Sequence, residues 1–132
     1  MGHDGDDVNE FTLSTAYDLT TYTFVDSYDI SGKTTQPEGL DFKPDGTEMY
    51  VVTYGDSNVH QWTLSTAYDT SSSSLDTSQT ATTYDVSAQS DESMRGFVFI
   101  DNSSVTSLGH AAKFFITDDI TSGANTIKHY FI

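Results

Sequence analysis

The chain has 132 residues, the length of one ordinary domain, and sets five Lys and Arg against twenty Asp and Glu for a formal net charge of -15. A field of that sign repels phosphate backbones and excludes nucleic acid as an expected partner. With no cysteine there is neither a disulfide framework nor thiol chemistry, and with no apolar run near the roughly 20 residues of a membrane span, membrane insertion is not expected.

The order of the chain is that of a strand-and-turn protein. Apolar residues make up 36% and charged residues only 19%, so the polarity comes from Ser and Thr. Thr, Tyr, Phe and Val suit a pleated sheet, while Ser, Gly and Asp supply turns. An aromatic fraction of 13% argues for a packed core over disorder. The opening MGHDGDDVNEF has neither the basic nor the apolar region of a secretion signal, so any export is expected to depend on something else.

The first predicted strand lies in GDDVNEFTL and runs into STAYD at positions 14 to 18. The more polar segment TYTFVDSYDIS follows, a strand expected at a sheet edge. Next comes QPEGLDFKPDGTEMYVVTY. Pro44 presets the φ of a turn, Asp45 caps it and Gly46 accepts a left-handed backbone, which predicts a tight hairpin between GLDF and EMYVVTY. The second of these strands is apolar on both parities, through Met49 and Val51 and through Tyr50 and Val52, as expected where both faces are covered.

The sequence then repeats. WTLSTAYD at 62 to 69 restates FTLSTAYD at 11 to 18, and the preceding GDSNVHQ matches GDDVNE once one residue is inserted. Tyr84-Asp85-Val86-Ser87 restates Tyr28-Asp29-Ile30-Ser31, with SSSSL as a loop extension between the matched blocks. Gly96-Phe97-Val98-Phe99 aligns with Gly39-Leu40-Asp41-Phe42, and Phe114 to Thr117 aligns with Tyr50 to Thr53. That alignment implies an insertion of seven residues, the loop 101–112, where the Pro-Asp-Gly turn has no counterpart. Ile127-Lys128-His129-Tyr130 is a third echo of Val59-His60-Gln61-Trp62.

Self-similarity at this period marks a repeat architecture. The expected units are a partial one over 8–31, a full one over 36–87 and a partial, degenerate one over 93–132, within one domain over 1–132. Four antiparallel strands per unit, with inner strands buried on both faces, describe an all-β fold of four-stranded β-propeller blades, about two per chain. Phe11, Leu40, Phe42, Trp62, Leu64, Phe97, Phe99 and Tyr130 are the expected repeat core.

The motifs QPEGLDFKPDGTEMYVV, GDDVNEFTLSTAYD and GDSNVHQWTLSTAYD resemble a family of β-propeller repeats, with NHL- and YVTN-like blades, found in marine bacterial and bacteriophage proteins. The resemblance covers about two-thirds of the chain. It implies a propeller and brings no catalytic residues with it. Together with the acidity, it implies a virion-associated or extracellular protein.

No constellation names a reaction. His3, His60, His110 and His129 have no ligand spacing such as HExxH, and a structural role suits His60 and His129 better than a metal or catalytic one. His60 and His129 stand at nearly equivalent repeat positions and are expected to point the same way. Asp4, Asp6, Asp7 and Asp56, with Asp118 and Asp119, read as solvated turn residues, with Ca²⁺ binding as the weaker alternative and no other cofactor expected. Tyr17 and Tyr68 read as plugs of the loop between third and fourth strands, the alternative being a carbohydrate platform. Asn102-Ser103-Ser104 is a sequon that marks a surface loop. Neither a nucleophile elbow nor a Gly-rich phosphate loop is present. The expected function is a non-enzymatic structural or binding module whose two blades join a larger ring, as a homo-oligomer, with a trimer preferred, or with another structural subunit. A metal-dependent propeller hydrolase of the lactonase sort and a propeller lectin are the alternatives.

Overall fold

A computed structural model describes residues 5–55, 57–70, 82–86, 94–101, 112–118 and 127–131. The described segments form nine strands: β1 (Asp7–Leu13), β2 (Tyr22–Asp29), β3 (Pro37–Phe42), β4 (Glu48–Thr53), β5 (Asn58–Thr63), β6 (Thr82–Asp85), β7 (Met94–Asp101), β8 (Ala112–Asp118) and β9 (Ile127–Phe131). Among the described residues no helix is long and apolar enough to cross a membrane.

Every pairing is antiparallel and between strands that are consecutive in the chain. The strands make three sheets: β1-β2, β3-β4-β5-β6 and β7-β8-β9. The polar strand β6 takes an edge of the central sheet, as its composition predicts.

Alternation along β4 explains how the sheets stack. Met49 and Val51 are fully buried on one face with Trp62 and Leu64, and Val8 and Tyr28 of the N-terminal sheet cover them with Ile30, which follows β2. Leu40 and Phe42 pack at the side of this cluster. On the opposite face Tyr50, Val52, Val59 and Val86 meet Met94 and Ile116, with Phe97 and Phe114 beside them. The central sheet is therefore sandwiched between the other two. Burying two such faces is the main stabilising contribution, at about 1.5–3 kcal/mol for each fully buried aliphatic or aromatic side chain.

The sheets approach most closely where β3 meets β7. A Cβ on Gly39 would stand 2.9 Å from the backbone N of Phe97 and 3.2 Å from the carbonyl carbon of Gly96. Only glycine lets the two backbones come this near. Arg95 adds a polar tie across the same junction. It meets Glu38 at 3.0 Å and lies 4.8 Å from the centre of the Tyr54 ring.

The pairing registers correct two readings of the repeat. Phe42 lies opposite Met49, and its counterpart Phe99 lies opposite Phe114. Phe114 thus occupies the position of Met49, and Ile116 that of Val51, one residue away from the alignment made on sequence. The insertion before β8 is accordingly eight residues, since Ile116 follows Gly96 by 20 positions and Val51 follows Gly39 by 12. His60 lies opposite Val51, whereas His129 lies opposite Phe115, the counterpart of Tyr50. The two histidine positions therefore have opposite parity, because a one-residue offset along a strand exchanges its faces.

Candidate interaction surface

The hairpin turn between β3 and β4 is where the repeated STAYD segment acts. Gly46 N–H donates to Lys43 O at 2.7 Å, closing a turn with Pro44 and Asp45 at its centre, and Gly46 has φ +73°. Asp45 Oδ1 accepts from the backbone N of Thr47 at 3.0 Å and from its hydroxyl, while Oδ2 lies 3.0 Å from Lys43 Nζ. These bonds, with the Thr47 hydroxyl foremost, hold the Asp45 carboxyl down to about 2.

Tyr68 grips this turn from the loop after β5. Its N–H donates to Gly46 O at 2.9 Å, its phenol donates to Pro44 O, and its ring lies 5.6 Å from that of Phe42. A Cβ on Gly46 would sit 2.7 Å from Cγ of Tyr68. Glycine is thus required here for both backbone conformation and space. Tyr68 itself has φ +60°, a left-handed backbone that a bulky residue adopts at a cost of about 1–3 kcal/mol. The expected plug of the β5–β6 loop is instead a clasp on the β3–β4 turn.

Tyr17, its repeat counterpart, has the same backbone, with φ +63°, but is 97% exposed. Local bonds hold it there. Asp18 N–H donates to Thr15 O, and Asp18 Oδ1 caps the short 3₁₀ turn Leu19–Thr21 by accepting from the N–H and hydroxyl of Thr20. Those two bonds also lower the Asp18 carboxyl from its ordinary value.

The outer face of the N-terminal sheet continues this exposed surface. Phe11 pairs with Phe24 and Leu13 with Tyr22, and Phe11 touches both aromatic rings edge-on at 5.6–5.8 Å. All four residues are exposed, Phe11 by 51%. This corrects the placing of Phe11 in the core. Its counterpart Trp62 is 2% exposed because the N-terminal sheet covers it, whereas no described sheet precedes the N-terminal one. At the other end of the stack, Val98 and Ile100 of β7 are nearly half exposed on the outer face.

The remaining expected core residues divide as follows. Trp62 and Leu64 are buried, and Leu40, Phe42 and Phe97 are half-buried against the two clusters. Phe99 and Tyr130 are placed by backbone pairing alone, and their side chains lie outside the described residues, as do His3, Asp4, Asp56, residues 102–111 with the sequon and His110, and Asp119. His60 is buried beside Trp62, with ring centres 5.9 Å apart. Among the described residues no three His, Asp or Glu side chains are grouped to hold a metal. Asp7 is engaged by Asn9 and Ser27 at 2.9 Å each.

Two features had no sequence signal. Glu10 Oε2 accepts from the backbone N and hydroxyl of Thr70, tying the N-terminal sheet to the loop after β5. A shallow polar groove runs along the segment from Ser31 to Gln36, opposite Tyr54. It contains no convergent titratable set. No protein-family model matches this chain, and neither a curated protein nor a solved structure shows significant similarity to it.

Proposed function

We propose that the three sheets are one full and two partial blades of a β-propeller and that the protein is a non-enzymatic structural or binding module that joins a larger ring. The observation carrying this reading is that each end of the stack presents apolar strand residues at its outer face. The central sheet shows how such a face is satisfied: the residues equivalent to Phe11 and Leu13 are Trp62 and Leu64, which the neighbouring sheet buries. A face built alike and left open favours association. Stacking N-terminal face on C-terminal face is heterologous and closes into a ring if the rotation permits. The nine described strands amount to about two four-stranded blades, so the preferred trimer supplies strands for about six, with another structural subunit as the alternative source of the missing blades. The acidity and the resemblance of the repeats support a virion-associated or extracellular setting, where salt screens self-repulsion over about 8 Å.

Light scattering on purified protein, with salt raised from low to physiological and beyond, tests the assembly. The expected mass is a multiple of 14.5 kDa that persists or grows as salt screens the charge. A compact, cooperatively folding monomer at micromolar concentration at every salt overturns it. Lactone and phosphoester panels, run with and without Ca²⁺, Zn²⁺ or Mn²⁺, should show no turnover. Turnover abolished by His60→Ala or His129→Ala would replace this reading with that of a hydrolase.

A further inference from the structure

We infer that the exposed Tyr17 segment and the edge of β1 left unpaired among the described residues form a receptor for a β-hairpin bearing a Pro-Asp-Gly-Thr turn. The chain contains both the occupied and the open form of this site. In the central sheet, β5 is flanked by β6 on one side and by β4 of the β3–β4 hairpin on the other. The Tyr68 clasp closes over the turn of that hairpin. In the N-terminal sheet β1 and β2 are the counterparts of β5 and β6, and among the described residues β1 pairs with β2 only.

The match extends to backbone detail. Ile30 N–H donates to Asp6 O at 2.9 Å, as Val86 N–H donates to Ser57 O at 3.0 Å, and both Asp6 and Ser57 have positive φ. Tyr17 and Tyr68 agree in φ to within a few degrees. For Tyr68 the conformation aims the N–H at Gly46 O and the phenol at Pro44 O. Tyr17 maintains it through the Thr15, Asp18 and Thr20 bonds, so the backbone of the clasp is set before anything enters it. A preset site avoids part of the ordering cost of binding.

The neighbouring surface suits the same occupant. A hairpin added to β1 would run beside β3, where Leu40 and Phe42 are half-buried at the margin of the inner cluster. Main-chain pairing to the open edge would supply affinity, and the apolar margin and the Tyr17 clasp would supply selectivity for this turn. The C-terminal sheet of a second copy is not the ligand. Its β7–β8 connection has no Pro-Asp-Gly sequence and is eight residues longer. The occupant is therefore a second, intact Pro-Asp-Gly-Thr hairpin, distinct from the one that Tyr68 already holds. This rests on reading the N-terminal sheet as an incomplete repeat unit and not on the number of copies in a ring.

A synthetic peptide of residues 36–54, which contains this hairpin, is the probe. Both molecules are acidic, so the titration is done in salt sufficient to screen them, with calorimetry for affinity and NMR for location. Saturable one-to-one binding is expected, with the largest resonance changes at Tyr17 and along β1. Tyr17→Asn, which tolerates the left-handed backbone but lacks the ring, should weaken binding by about tenfold or more, the scale of a lost hydrogen bond with its ring contact. The same peptide with Gly46→Val should bind no better than a scrambled one. Absence of binding at millimolar peptide, or affinity untouched by Tyr17→Asn, overturns the proposal. So does binding weakened by Tyr68→Asn alone, which would mean displacement of the protein's own hairpin. A monomer that binds the peptide refutes self-assembly and leaves the receptor standing, whereas an oligomer indifferent to it does the reverse.

Discussion

Replacing Gly46 with valine attacks the β3–β4 turn twice. The backbone at φ +73° places a β-branched side chain in the left-handed region, which costs about 1–2 kcal/mol by itself. The new Cβ also enters the Tyr68 ring, 2.7 Å from Cγ with two other ring carbons nearer still. Tyr68 must then leave, giving up its contact with Phe42 and its hydrogen bond to Pro44 O, a further loss of about 1–2 kcal/mol. The expected total of about 2–4 kcal/mol corresponds to a fall in melting midpoint of roughly 8–15 °C for a domain of this size. Thermal unfolding followed by far-ultraviolet circular dichroism measures it. A double-mutant cycle separates the two causes. In a Tyr68→Ala background the steric part vanishes, so Gly46→Val should cost only the backbone part, leaving a coupling of about 1–2 kcal/mol. An unchanged midpoint refutes the turn geometry. A cost identical in both backgrounds refutes the clasp.

Gly39→Ala forces a Cβ against the backbone of Phe97 and Gly96 and should destabilise by about 1–3 kcal/mol; a midpoint in urea equal to that of the parent would show that β3 and β7 are not so close. The Asp45 carboxyl is lowered from 3.8 to about 2 in the folded chain, so its stabilising effect is complete above the unfolded value and is lost as pH falls from about 4 through 2. Asp45→Asn should therefore narrow the stability difference between pH 6 and pH 2.5, and a pH profile parallel to that of the parent would count against it. Glu10→Ala leaves the buried N–H and hydroxyl of Thr70 unpaired and should cost about 1–3 kcal/mol, read as earlier hydrogen exchange at Thr70; retained protection there would contradict the tie between the sheets.

Strand positions, the hairpin turn and the edge placement of β6 follow from the sequence by itself, because each depends on near neighbours in the chain. The continuous apolar run from Met49 to Val52 specifies a strand with two buried faces, and Lys43-Pro44-Asp45-Gly46 encodes its own turn. The repeated STAYD segment likewise marks equivalent positions. Tertiary structure alone decided what each equivalent position does. Tyr17 and Tyr68 share sequence and backbone, yet one is bare and the other holds a turn 24 residues earlier. Phe11 and Trp62 share a place in the repeat, yet among the described residues only Trp62 has a sheet over it. Register, too, was settled only by pairing, since an insertion before β8 slides the alignment without leaving a local mark, and one residue is enough to exchange the two faces of a strand. The physical reason is the same in each case: periodicity and turn chemistry are local, whereas burial depends on which other part of the chain, or of another chain, arrives to exclude water.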